Sequence, residues 1–176
     1  MSAPADERAV LDRAIDDLEH FDAALNRPIT RGDRLWTDRG GRAELHVGTS
    51  VLHMDSQAFL NVVALDADVF QASLNGGSVS IRVRELSDGE NVEIDTAQLA
   101  FRAAQPGEYR IDVDASQGTT RVTVRNGTAL VFGATGQALQ LRTGSQDTFV
   151  GRNLQATSTA TLADDSFDVS PDGKPY

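Results

Sequence analysis

The stretch Asn75-Gly76-Gly77-Ser78-Val79-Ser80-Ile81-Arg82-Val83-Arg84 decides the fold. Its first three residues are turn formers, and from Val79 onward apolar and polar side chains alternate one by one. A two-residue period places Val79, Ile81 and Val83 on one face and Ser80, Arg82 and Arg84 on the other, as in a strand with one buried side. The same beat recurs on both sides of this segment. Ala43, Leu45 and Val47 alternate with Glu44 and His46, and Val92 and Ile94 with Glu93 and Asp95. Tyr109, Ile111 and Val113 alternate with Arg110, Asp112 and Asp114; Val122 and Val124 with Arg121, Thr123 and Arg125; Leu139 and Leu141 continue the theme. Turn formers punctuate the runs at Gly40-Gly41, Ser87-Asp88-Gly89, Pro106-Gly107, Ser116-Gln117-Gly118, Asn126-Gly127 and Gly133 to Gly136. The spacing predicts about a dozen short strands and leaves little room for crossover helices. Asn75-Gly-Gly-Ser-Val-Ser-Ile, Asn126-Gly-Thr-Ala-Leu-Val and Gly136-Gln-Ala-Leu-Gln-Leu each set a turn glycine before an alternating strand, which suits successive coils. The pattern is all-β, of sandwich, barrel or β-solenoid kind.

The period differs before residue 26. Leu11, Ala14, Ile15, Leu18, Phe21 and Leu25 recur at three- and four-residue spacing, with Asp12, Asp16, Asp17 and Glu19 opposite. That pattern predicts one amphipathic helix with an apolar stripe in need of burial. Pro4, Asp6 and Glu7 suit its start, and Asn26-Arg27-Pro28 stops it, because the residue before proline leaves the helical region. The chain thus divides into an acidic helix over 1–26, a β domain over 27–163 and an acidic tail over 164–176.

A length of 176 residues suits one domain with a real core. The chain has no cysteine, which excludes disulfides, zinc–thiolate sites and cysteine nucleophiles. Its net charge of −10 is concentrated at the ends: −5 over 1–25 and −3 over 164–176. The near-neutral body has no basic stripe for phosphates, so nucleic-acid binding is not expected. No run approaches ~20 apolar residues, so no transmembrane segment is expected. No basic region precedes an apolar one at the start, so the chain as given reads as carrying no signal peptide.

One constellation suggests a site. Alternation directs Glu44, His46, His53 and Asp55 outward while Leu45, Val47, Leu52 and Met54 face inward. A hairpin closed by Gly48-Thr49-Ser50-Val51 would pair residue 47 with 52, 46 with 53 and 44 with 55, with Cβ atoms ~5 Å apart. Two imidazoles and two carboxylates so placed are a ligand set for a divalent metal such as zinc, nickel or iron. A two-residue slip in register keeps the faces and breaks the pairing. Other signals are structural. Asp112, Asp114, Ser116 and Gly118 echo a calcium loop, but residue 123 is threonine where a bidentate acid is due. Asp66 and Asp68 read as a turn, and Asn126-Gly127-Thr128 reads first as a hairpin turn and only second as a glycosylation sequon. There is no Gly-x-Ser-x-Gly elbow, and His20, His46 and His53 all lie early. Trp36 reads as a core or edge anchor; Phe59, Phe70, Phe101 and Phe132 read as core. The outward charges alternate in sign from strand to strand and read as a self-neutralising, solvated face.

Leu25-Asn-Arg-Pro-Ile-Thr-Arg-Gly-Asp-Arg-Leu-Trp-Thr-Asp38 and Arg42-Ala-Glu-Leu-His-Val-Gly48 resemble the opening of FecR-domain proteins of proteobacteria. The resemblance continues through Gly77-Ser-Val-Ser-Ile-Arg-Val-Arg84, Val92-Glu-Ile-Asp-Thr96, Pro106-Gly-Glu-Tyr-Arg-Ile-Asp-Val-Asp114 and Val122-Thr-Val-Arg-Asn-Gly127, covering Leu25 to Ala163. It implies an all-β, solenoid-like domain outside the cytoplasm, here periplasmic. Together with the strand pattern, the expected fold is a solenoid-like stack of two twisted, mainly antiparallel sheets. Some members relay an iron-siderophore signal across the inner membrane to a sigma factor. Others have this domain alone behind a signal peptide, and the chain looks most like those. The anti-sigma segment and membrane helix of signalling members are not seen here, and a helix stands where the family opens with strands. The family offers no catalytic residue and no cofactor. The expected function is a non-catalytic module that binds a protein or cell-envelope component, with homo-oligomer formation through the N-terminal helix. The alternative is a metal-sensing or metal-carrying protein using Glu44, His46, His53 and Asp55.

Overall fold

A computed structural model describes residues 28–160. It contains thirteen strands in one sheet: β1 (Arg34–Trp36), β2 (Ala43–Val47), β3 (Ser50–Met54), β4 (Phe59–Leu65), β5 (Val69–Val83), β6 (Asn91–Asp95), β7 (Ala100–Ala103), β8 (Gly107–Asp114), β9 (Thr119–Asn126), β10 (Thr128–Phe132), β11 (Ala138–Arg142), β12 (Gln146–Val150) and β13 (Gln155–Ala160). The all-β class follows from the two-residue beat, since each alternating run became a strand. Among the described residues there is no helix. The helix expected over 1–26 and the tail expected over 164–176 lie outside the described residues.

β5 organises the sheet. Its first part pairs with β4 and β6, and its second part, from Gly77, pairs with β3 and β8. One half-sheet therefore runs β1-β4-β5-β6-β7-β10-β11, and the other runs β2-β3-β5-β8-β9-β12-β13. The chain visits the halves alternately, mostly two strands at a time. All pairings are antiparallel except that of β5 with β6.

This topology corrects the solenoid expectation. The strands are mainly antiparallel as expected, but they do not form two stacked sheets: all thirteen join through β5 into a single sheet that curls into an open half-barrel. The physical reason lies at the glycines read as coil corners. Asn75-Gly76-Gly77 is no turn but the bend inside β5, where Gly77 takes φ +77 and a Cβ would lie 2.5 Å from the Cα of Ala58. Asn126-Gly127 is no hairpin either. It carries the chain from β9 in one half to β10 in the other, and a Cβ on Gly127 would lie 2.5 Å from the Tyr109 hydroxyl.

The concave side holds one core drawn from both halves, including Leu52, Leu60, Phe101, Ile111, Val124 and Val131, each essentially solvent-free. The halves meet where the Phe101 ring stands edge-on to Tyr109 at 5.3 Å. The buried Tyr109 hydroxyl donates to the carbonyls of Gln105 (2.6 Å) and Thr128 (2.9 Å), anchoring both crossings. Burial raises its pKa despite these bonds. Across the same gap Thr120 Oγ1 lies 2.9 Å from Thr96 Oγ1 and 2.8 Å from Gln98 Oε1.

Candidate interaction surface

The convex side of the β3–β9 half carries the charge ladder expected from alternating signs. The Arg110 side chain is 8% exposed; its Nε donates to Asp112 Oδ1 at 2.9 Å, and its Nη2 lies 3.8 Å from Asp55 Oδ2. Arg121 Nε reaches the other Asp112 oxygen at 3.3 Å, Ser78 Oγ donates to Asp112 at 2.6 Å, and Arg42 Nε stands 3.7 Å from Asp55. Arg82 pairs with Glu108 at 2.6 Å. Cross-strand neighbours thus engage each other's charge, which fixes register.

The hairpin that sequence reading singled out sits beside this ladder with a different register. Val47 pairs with Ser50, His46 with Val51, Leu45 with Leu52 and Glu44 with His53. The two-residue loop is Gly48-Thr49, with Gly48 at φ +56 as a type II′ turn requires at its first central position. That slip by two residues corrects the expected pairing of 46 with 53 and 44 with 55. Glu44 accepts from His46 Nε2 at 2.5 Å and lies 3.5 Å from His53 Nδ1, whereas Asp55 faces Arg42 and Arg110. Three of the four residues are brought together, and the fourth is held in the ladder. Among the described residues no group of three or more His, Cys, Asp or Glu side chains is placed to hold a metal ion.

The convex side of the other half differs. Gln71 Nε2 donates to Glu93 Oε1 at 3.1 Å and Asp95 Oδ2 at 2.7 Å, while Arg102 holds Glu93 Oε2 at 2.8 Å and stacks 5.3 Å from the Phe132 ring. Burial pushes Glu93 up, but the bonds from Arg102 and Asn91 outweigh it and leave its pKa lowered. Asp95 lacks an arginine of its own, so burial, aided by the neighbouring Glu93 charge, raises its pKa despite the bond from Gln71.

On the same side, toward β1, lie Trp36, Phe59 and Val63. Trp36 is 49% exposed and Val63 41% exposed, and the Trp36 and Phe59 rings are 5.6 Å apart. Phe59 and Phe132 were expected in the core; they stand half-buried on the convex side, while Phe70 and Phe101 are core as expected. The missed signal was local: Leu35 and Leu60 face the core, so their neighbours Trp36 and Phe59 must face away. Among the described residues β1 pairs with β4 alone, so this aromatic strip borders an open edge.

No family model matches the chain, and no curated protein matches it. Two crystal structures of a "putative anti-sigma factor" from Parabacteroides distasonis share its fold, each with a TM-score of 0.61, at 14% and 13% sequence identity. Each likeness covers 73% of this chain and 59% of the other, so this chain spans well under two thirds of those proteins.

Proposed function

We propose that the chain is a non-catalytic FecR-like module working outside the cytoplasm, where it binds a protein partner through the Trp36–Phe59–Val63 strip. The observation that carries this reading is Trp36, a large aromatic half exposed on an edge strand and backed by a second ring. Aromatic side chains offer much contact area for little lost conformational freedom, and they dominate binding energy when a partner covers them. Among the described residues the outer side of β1 has no strand partner, which offers backbone groups to which an extended partner segment can bond. The non-catalytic part is supported by the charged side chains of both convex faces, which engage one another in cross-strand contacts such as Arg82–Glu108, Arg102–Glu93 and Arg121–Asp112. A regulatory role is supported by the fold shared with the Parabacteroides protein.

The test is capture from envelope extract of the native host with three baits: wild type, Trp36→Ala and Arg82→Ala. A discrete protein should be retained by wild type and by Arg82→Ala, which alters the far face, and lost with Trp36→Ala. Identical retention by all three baits overturns the proposed surface. Recovery of the natural gene product in the cytoplasmic fraction overturns the proposed location.

A further inference from the structure

The β2 edge, in the other half-sheet from β1 and on the same side of β5, carries an inference that does not depend on that reading. β2 pairs with β3 alone among the described residues. The amide of Asp55 donates to Ser78 on β5, so odd-numbered residues of β3 bond toward β5 and even-numbered ones toward β2. Through the observed register, Ala43, Leu45 and Val47 bond to β3, and the N–H and C=O groups of Glu44 and His46 point to the open edge. The strand is regular, with no proline or bulge to guard that edge. Glu44 and His46 also project their side chains into solvent, 48% and 69% exposed.

We propose that β2 pairs with β2 of a second copy of this chain, antiparallel and centred on Leu45. The strand is its own complement in this register alone. With Leu45 opposite Leu45, Glu44 of each copy meets His46 of the other, and the outward backbone groups of both residues exchange four hydrogen bonds. Ala43 meets Val47, and Arg42 falls opposite Gly48, which has no side chain to obstruct it. Centring on Glu44 or on His46 sets like beside like, and a one-residue slip turns the core faces outward. The carboxylate that already holds its own His46 thus gains a second imidazole across the two-fold axis. A contact of two five-residue edges is small, so the dimer forms and dissolves with concentration.

Sedimentation velocity over a concentration series tests this, with circular dichroism melts confirming that every variant folds. Wild type should shift from monomer toward dimer as concentration rises. His46→Pro removes one outward N–H per copy and no bond to β3, and proline is tolerated at such an edge position. It should weaken association at least about tenfold. His46→Glu, which sets Glu opposite Glu44, should weaken it too, and Glu44→His combined with His46→Glu should restore it. A wild-type monomer up to millimolar concentration overturns the proposal. So does a dimer indifferent to both single variants, which would place self-association on another surface.

Discussion

Gly77 shows what a single side chain would do to the bend that joins the halves. At φ +77 an L-residue is strained, and a Cβ there would sit 2.5 Å from Ala58 Cα and 2.7 Å from the Gln57 carbonyl, both backbone atoms that cannot swing aside. Its neighbour Gly76 has open space around its Cα and no positive φ. Gly77→Ala should therefore lower the unfolding free energy by roughly 2–4 kcal/mol, and Gly76→Ala should change it by less than about 1 kcal/mol. Urea titration of both variants checks this, and equal costs would show that the bend does not depend on the missing Cβ. The sequence marks both glycines as turn formers alike. Only the approach of the Gln57-Ala58 backbone distinguishes them, and that is a tertiary contact invisible to local pattern.

At the level of elements, strand existence was legible, while strand partnership was legible for the β2–β3 hairpin and not across the crossings between halves. Every alternating run quoted above is a strand because burial of one face enforces the period. Partnership depends on where a chain crosses between halves, and Pro106-Gly107 and Asn126-Gly127 look like hairpin signals while serving as crossings. The Glu44 to Asp55 hairpin was legible in its faces and missed in register, because Gly48-Thr49 closes a tighter loop than the four-residue one expected. Asp55 consequently leaves the histidines for the arginines. Sheet neighbours also set the electrostatics of β6. Burial raises the Asp95 pKa, so its protonated form is favoured in the folded chain. Such a group adds stability below the ordinary aspartate range, and that stability is lost as pH rises through the raised value. At neutral pH the Asp95 charge is thus a liability. Asp95→Asn should raise the melting temperature at pH 7, with the gain shrinking as pH falls toward the ordinary aspartate pKa. Melting curves across that range decide it; a gain that persists unchanged in acid would assign the effect to something other than the charge.

For the whole molecule, the shared β5 and the single core imply one cooperative unit. Two half-sheets with separate cores could loosen independently, but here Phe101 of β7 packs on Tyr109 of β8, and both rings are buried to about the last percent. Removing the Phe101 ring opens a cavity bounded by both halves, so the loss cannot stay within one. Phe101→Ala should cost roughly 3–5 kcal/mol, the range for truncating a buried phenylalanine. Because β5 runs through both half-sheets, opening of either strips a partner from the other. Hydrogen exchange should then report the same loss of protection in β9, which belongs to the other half, as in β10, which neighbours the cavity. Urea melts of Phe101→Ala should stay single transitions with an unchanged slope, since the surface exposed on unfolding remains that of the whole sheet. If β10 exchanged faster while β9 kept its wild-type protection, the curled sheet would be two stability units that happen to share a strand.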